Sequence, residues 1–206
     1  MIGLIGQKGE MTQIYDQSGK VVPVTVINVG KCIVFGLRTK EKHGYFAIQV
    51  GNGEPSKRKL TKPYVGQFKQ AGIPVVGMVR EFRVSSVDGF RVGQELRVDL
   101  FKVGELVKVT GWTKGRGFSG GMKRWGWHGG STSHGSMSHR RIGSLGAGSS
   151  PGRVLPNRTL PGHYGCERVT IKNLQIVKVD PEEGIIYLRG SVPGYRGARV
   201  LIEKGA

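Results

Sequence analysis

The chain has 206 residues, with 32 Lys and Arg against 14 Asp and Glu and a formal net charge of +18. This length suits one domain of ordinary size, or one domain with a large appendage. The charge excess points to a polyanionic partner, either nucleic acid or an anionic membrane surface. The first residues lack the pattern of a signal peptide and no apolar run approaches the ~18 residues of a membrane span, so we expect a soluble, cytosolic protein.

Short β-branched runs bounded by Gly, Pro and Asp dominate both ends of the chain. A helix is predicted to begin near Thr61 and Pro63 and to end at Gly72, with Val65 and Phe68 facing the core. Many short strands separated by turns favour an antiparallel barrel over a doubly wound sheet. The predicted strands are Val21–Val29, Cys32–Leu37, Tyr45–Val50, Val75–Phe82, Glu95–Leu100, Leu106–Thr110, Leu174–Val179, Gly184–Arg189 and Arg199–Ile202.

The two cysteines, Cys32 and Cys166, are too few and too far apart to form a disulfide framework. We predict that each is a small buried residue in a reducing compartment.

No Asp or Glu occurs between Glu105 and Glu167. This stretch contains all three tryptophans and four of the five histidines, with many Gly and Ser. Ordering a backbone costs roughly 1–2 kcal/mol per residue, and the few large apolar side chains here offset little of that cost. We therefore expect a segment without a core of its own, which either stays disordered as a solvated basic loop or is ordered by a large polyanion.

The run Gly115–Gly120 fits the G-x-G-x-x-G pattern of dinucleotide-binding loops. Such a site also needs a helix that opens at the glycines and an acidic residue about 20 positions later. The glycines that follow argue against a helix, and the next carboxylate is Glu167. The dinucleotide interpretation is therefore disfavoured, although glycine lets backbone amides approach a phosphate closely.

A metal site is the next alternative, since several histidines and one cysteine follow this loop. Their spacings match no zinc-finger or zincin pattern, and no carboxylate is near to orient them. We predict neither a metal nor any other cofactor. The residues are His128, His134, His139, His163 and Cys166.

Catalysis is also disfavoured, because general acid–base chemistry needs a carboxylate or a tuned histidine and the serines lack a nucleophile-elbow context. We predict no catalytic residue, no enzymatic activity and no small-molecule substrate. An RNA-processing enzyme that holds its substrate with the basic stretch remains the alternative from this class.

Cations and aromatic residues alternate with glycine from Lys114 to Gly130. Cations neutralise phosphates, aromatic faces accept unpaired bases, and glycines let the chain enter narrow spaces, so this pattern favours a structured RNA. No basic recognition helix for DNA is evident. A membrane-surface protein with a polybasic loop is a further alternative, which the glycine density and the lack of an amphipathic helix oppose.

Several motifs, in order along nearly the whole chain, resemble the family of the universal third protein of the large ribosomal subunit, in its bacterial form. They are Ile2–Gly6, Lys114–Phe118, Lys123–Trp125, Ser133–Gly135, Gly143–Gly146, Pro151–Val154 and Gly190–Gly194. Two positions depart from the family: Glu10 replaces a usual glycine, and Ser149 stands where some bacterial members carry a methylated glutamine, so that modification should be absent.

The resemblance implies a mainly β fold: an antiparallel six-stranded translation-factor-like β-barrel, a small α+β middle subdomain near 40–95, and a long irregular RNA-penetrating extension. Residues 1–110 together with 167–206 are expected to form the barrel domain. Residues 111–166 are expected to form the extended basic Gly/Trp-rich loop.

The resemblance also implies a structural constituent of the large subunit in the cytoplasmic ribosome, which binds large-subunit (23S) ribosomal RNA and supports early assembly. The extension is expected to run toward the peptidyl transferase centre, and the expected protein neighbours are the fourteenth and nineteenth large-subunit proteins. The expected tip residues are Gly146, Ala147, Gly148 and Ser149. The expected RNA-binding residues are Lys114, Arg116, Phe118, Lys123, Arg124, Trp125, Trp127, His134, His139, Arg140, Arg141, Arg153 and Arg158.

Overall fold

The structure is a computed structural model that describes residues 2–55 and 60–205. The chain is mainly β with antiparallel strands, which confirms the predicted fold class at that level. The helices are α1 (Lys40–His43), α2 (Lys62–Ala71) and α3 (Gly121–Trp125), and a 3-10 turn spans Val98–Leu100. The strands are β1 (Gly3–Tyr15), β2 (Val21–Asn28), β3 (Cys32–Arg38), β4 (Ala47–Asn52), β5 (Met78–Arg83), β6 (Glu95–Leu96), β7 (Leu106–Trp112), β8 (Phe118–Ser119), β9 (Gly162–His163), β10 (Arg168–Asp180), β11 (Ile185–Arg189) and β12 (Arg199–Lys204).

The chain divides into two compact units. Unit 1 comprises Met1–Thr113 and Arg168–Ala206, and unit 2 comprises Lys114–Glu167. Unit 2 is therefore an insertion between β7 and β10, two strands that pair with each other in unit 1.

Six strands of unit 1 form a closed antiparallel barrel in the order β1-β12-β7-β10-β11-β2. The long strand β10 pairs with β7 over its first half and with β11 over its second half, with register shifts in both ladders. Alternate side chains point inward, and those of Leu4, Ile27, Val109, Ile186 and Ile202 are fully buried. These side chains give unit 1 the apolar core that its sequence pattern indicates.

A second antiparallel sheet, in the order β5-β4-β3-β6, also belongs to unit 1. Its buried residues Ile48 and Phe82 join the same hydrophobic cluster as Leu4 of the barrel. Helix α2 packs against this sheet through Phe68, whose ring centroid lies 4.7 Å from that of Phe35. One continuous core therefore runs through unit 1.

The predicted helix is confirmed, because α2 begins after Thr61, carries a proline in its first turn and ends at Gly72 with a φ of +66°. Phe68 is buried, whereas Val65 is only half-buried. Each predicted strand is present with shifted ends, except that Glu95–Leu100 contains only two strand residues followed by the 3-10 turn.

Strand β1 is the main element that the sequence pattern did not predict. Its glycines interrupt the apolar alternation, but they serve close packing: a Cβ on Gly3 would collide with the ring of Phe82. A Cβ on Gly6 would lie 2.6 Å from a methyl carbon of Ile27. Glycine inside a strand marks this kind of close approach rather than the absence of a strand.

The two cysteines differ in burial. Cys32 is fully buried, as predicted, and its burial raises the pKa of the thiol to about 11. The prediction that Cys166 is buried is wrong, since it is a free, exposed thiol. Cys166 lies in unit 2, where few apolar side chains are available to cover it.

No helix among residues 2–55 and 60–205 is long and apolar enough to cross a membrane.

Candidate nucleic-acid interface

Unit 2 has no apolar core, as the sequence predicts. Its buried residues are Ser119, Gly121 and Gly165, and none of them carries a large side chain. Hydrophobic burial therefore contributes little to its order, which has to come from hydrogen bonds and close backbone packing.

The two ends of unit 2 are joined by a short ladder. Strands β8 and β9 pair Phe118 with His163, and beside them the amide of Arg116 donates to the carbonyl of Tyr164 at 2.8 Å. The chains pass so closely here that a Cβ on Gly165 would collide with the carbonyl oxygen of Lys114. Gly165 also has a φ of +78°, a conformation that favours glycine.

A set of side-chain contacts ties α3 and the residue after its C-cap to the returning chain. We call these contacts the clasp, made of Arg124, Trp125 and Trp127 on one side and Thr159 and Leu160 on the other. The Arg124 guanidinium and the Trp125 indole nitrogen each donate to the Leu160 carbonyl at 2.9 Å. The Trp127 indole nitrogen donates to the Thr159 hydroxyl at 3.2 Å. One carbonyl that accepts two donors fixes both side chains relative to the backbone.

Helix α3 contradicts the expectation that the glycines after residue 120 prevent a helix. It is five residues long, begins at Gly121 and ends at Trp125, with Gly126 as its C-cap at a φ of +71°. Glycine is needed at its start because a Cβ on Gly121 would collide with the ring of Trp127. The dinucleotide interpretation remains disfavoured, since α3 has no acidic residue in its first turn and the next carboxylate is Glu167.

Residues 129–139 fold back on themselves between the clasp and the basic pair Arg140 and Arg141. The amide of Gly130 donates to the His139 carbonyl at 3.1 Å. The His139 Nδ1 lies 2.8 Å from the Ser131 carbonyl oxygen, which only accepts, so Nδ1 carries the hydrogen. That bond orients the imidazole ring and leaves its other nitrogen, Nε2, available to an outside partner.

The predicted tip residues, Gly146, Ala147, Gly148 and Ser149, are all exposed. The Ser144 hydroxyl donates to the Gly146 carbonyl at 3.1 Å, and the amide of Gly152 donates to the Gly148 carbonyl at 3.1 Å. These local bonds turn the chain with little side-chain bulk.

The predicted RNA-binding side chains of unit 2 fall into two groups. Arg124 and Trp127 are half-buried in the clasp, whereas the others are exposed, including Phe118 at 81% and Trp125 at 49%. The exposed cations all lie between Glu105 and Glu167, where the sequence has no Asp or Glu. Unit 2 therefore presents positive charge and aromatic faces to its surroundings. The exposed cations are Lys114, Arg116, Lys123, Arg140, Arg141, Arg153 and Arg158.

A sequence profile described as Ribosomal protein L3 matches residues 85–186, a range that includes β7, all of unit 2 and β10. A large ribosomal subunit protein uL3 from Carboxydothermus hydrogenoformans is 50% identical over 98% of this chain and 96% of its own length. The protein of the same name from Thermosipho melanesiensis is 49% identical over 97% of this chain and 96% of its own length. The chain belongs to the ribosomal protein L3 family.

This membership confirms the resemblance that the motifs indicate. Ribosomal protein L3 is a family of structural ribosomal proteins and not of enzymes. No group of three or more His, Cys, Asp or Glu side chains is placed to hold a metal ion within the described parts of the chain.

The clasp of this L3-family chain is the feature that sequence reasoning missed. Arg124, Trp125 and Trp127 were expected to face RNA, yet each also donates a hydrogen bond inside unit 2. Their acceptors lie more than 30 residues further along the chain. No local spacing rule predicts such a pairing.

Proposed function

We propose that the chain is a structural protein of the large subunit of the cytoplasmic ribosome, which binds large-subunit ribosomal RNA mainly through unit 2. The observation that carries this proposal is a compact, acid-poor unit without an apolar core that exposes seven of its cations. A polyanion with phosphates on several sides is the partner that offsets so much unpaired positive charge.

The proposed organisation is a translation-factor-like barrel domain with a small α+β subdomain near 40–95, and an RNA-penetrating extension over residues 111–166. Residues 56–59 of that subdomain lie outside the described residues. The extension runs toward the peptidyl transferase centre, with Gly146 to Ser149 at its tip. A tip built from small residues fits a narrow space between RNA segments.

The proposed partners are large-subunit ribosomal RNA and the fourteenth and nineteenth large-subunit proteins. Early binding during subunit assembly follows from the same charge, because neutralising phosphates lets RNA helices approach one another. The names of the relatives support a place in the large subunit.

Individual roles follow from exposure and residue type. The exposed arginines and lysines neutralise phosphates, and Phe118 and Trp125 stack on unpaired bases. His134 and His139 contact phosphates or 2′-hydroxyl groups. Arg124 and Trp127 act in part by holding unit 2 in its binding shape, since they are half-buried in the clasp.

Salt-dependent binding to a large-subunit ribosomal RNA transcript tests this proposal. We compare the protein with a triple variant in which Arg140, Arg141 and Arg153 become Gln. The control triple variant makes the same replacement by Gln at Lys40, Lys42 and Lys69, which are exposed cations of unit 1.

Log affinity falls linearly with log salt concentration, and each lost phosphate contact makes that fall shallower by about 1. We therefore expect the slope of the unit 2 variant to be smaller in magnitude by about 3. The control variant should retain most of its slope. Equal slopes for both variants, or tight binding that salt does not weaken, would contradict the proposal.

A further inference from the structure

A small open cavity lies in unit 2, beside the residues that lead to the tip. Its volume is about 180 Å³. That is several times the ~30 Å³ that one water occupies, and below the roughly 300–1,000 Å³ of sites for drug-sized ligands. It suits one planar heterocycle. It is lined by the apolar residues Trp127, Ile142 and Leu145 and by the polar residues Ser144, Arg158 and Thr159.

The aromatic wall of this cavity is held in place from two sides. The Trp127 indole nitrogen donates to the Thr159 hydroxyl at 3.2 Å. The backbone of Gly121 lies against the six-membered part of the indole ring, so closely that any Cβ there would collide with it. Because the ring is fixed before anything binds, stacking on it costs little side-chain entropy.

The polar groups at the cavity match the two other parts of a nucleotide. Arg158 is exposed and carries a positive charge that fits a phosphate. The Thr159 hydroxyl accepts from Trp127 and keeps its own hydrogen for donation to a base edge or a sugar oxygen. A slot that combines a fixed indole and two aliphatic residues with a hydroxyl donor and a cation is suited to a base turned out of its stack.

We infer that this cavity is a binding site for one unpaired nucleotide of the RNA. The base stacks against Trp127 between Ile142 and Leu145, and its phosphate meets Arg158. The inference rests on the proposed RNA-binding function and adds to it a single-nucleotide site within unit 2. The acid-free surroundings favour a nucleotide over a cationic or neutral aromatic ligand.

Gly143 offers a way to add bulk at the cavity wall without removing any side-chain contact. It lies in the wall, no atom lies within 4 Å of a Cβ built on it, and its φ is outside the left-handed region. Gly143→Leu adds a large apolar side chain at the wall of the cavity, whereas Gly143→Ala adds one carbon with room to spare. Gly66→Leu, at an exposed and open position of α2, is the control for added surface bulk.

The experiment measures the binding of the full chain to a large-subunit ribosomal RNA transcript across a salt series, with base-specific chemical probing of unpaired nucleotides. Stacking of one base contributes enough that we expect Gly143→Leu to lose about tenfold in affinity or more. It should also lose protection of one unpaired base, while the magnitude of its salt slope falls by no more than about 1, the share of the single phosphate at Arg158. Gly66→Leu should behave like the unmodified protein, and Gly143→Ala should lose less affinity than Gly143→Leu.

Two results would overturn this assignment. One is Gly143→Leu retaining its affinity and every protected base. The other is a loss of affinity accompanied by a salt slope that falls by clearly more than about 1, because that loss would come from several phosphate contacts rather than from one nucleotide. Failure of the proposed function looks different, since the unmodified protein itself would then show no salt-dependent RNA binding.

Discussion

The two units of this chain hold their backbones in order by different means. Unit 1 buries alternate apolar side chains, such as those of Ile27, Ile186 and Ile202, in one continuous core. Unit 2 instead relies on the β8–β9 ladder, on indole and guanidinium donors to backbone carbonyls, and on glycines where chains pass closely. The first arrangement is self-sufficient, and the second leaves charge exposed for a partner.

Hydrogen exchange without RNA should show the largest difference between the units. Amides of β7 and β12 should exchange only through global unfolding, at a free energy of about 5–15 kcal/mol. Amides between residues 131 and 158 should exchange with a protection of roughly 1–2 kcal/mol, because few buried contacts hold them. Strong protection throughout Lys114 to Arg158 would show that unit 2 is ordered without RNA.

Truncation of a core side chain should destabilise the protein far more than truncation of an apolar side chain in unit 2. Ile186 is fully buried, so Ile186→Ala should lower the free energy of unfolding in urea by about 2–5 kcal/mol. Leu155 is 52% exposed, and Leu155→Ala should change it by no more than about 0.5 kcal/mol. Similar losses for the two variants would mean that unit 2 has a core of its own.

Backbone packing in unit 2 is tested by Gly165→Ala. The new methyl group meets the Lys114 carbonyl and the φ is positive, so the ladder between Arg116 and Tyr164 should weaken by about 1–3 kcal/mol. The readouts are faster exchange of the Tyr164 amide and an unchanged urea midpoint for unit 1. Gly120→Ala, where a Cβ meets nothing within 4 Å, is the matched control. An unchanged Tyr164 exchange rate would contradict the close contact.

The two thiols should show the smallest effect. At pH 8 a thiol reagent should label Cys166 at once and Cys32 only as the protein unfolds. The pKa of Cys32 rises from 9.0 to about 11 on folding, so its contribution to stability is complete below pH 9 and is lost as pH rises toward 11. The free energy of unfolding should therefore fall over that range, and Cys32→Ala should reduce this fall. Rapid labelling of both thiols would place Cys32 outside the core.

The sequence predicts the elements of unit 1 well because the alternation of apolar and polar residues indicates buried strand faces, and turn residues mark where the strands end. Helix α2 follows from Thr61 and Pro63 at its start, Val65 and Phe68 on its inner face and Gly72 at its end, although Val65 is only half-buried. Strand β1 is not predicted because its glycines interrupt the alternation of apolar and polar side chains. Only the structure shows that these glycines allow Phe82 and Ile27 to pack against the strand.

Unit 2 is less predictable, for a physical reason. Its exposed cations and its lack of acids follow from composition, and so does the absence of a core. The clasp depends on a carbonyl at Leu160 that carries no residue-specific signal, because any residue supplies a carbonyl. The burial of Gly121 likewise depends on where Trp127 lies, and the short helix α3 depends on both.

The pairing of β7 with β10 has a consequence for how the chain tolerates change. Trp112 and Arg168 are directly opposite in that ladder, so the barrel needs only a tight turn between them to remain continuous. Closing a long loop costs little more than closing a short one, since the entropic penalty grows only with the logarithm of its length. The barrel can therefore keep its registers while unit 2 lengthens, shortens or changes its tip, which leaves the proposed RNA-binding unit free to diverge on an unchanged scaffold.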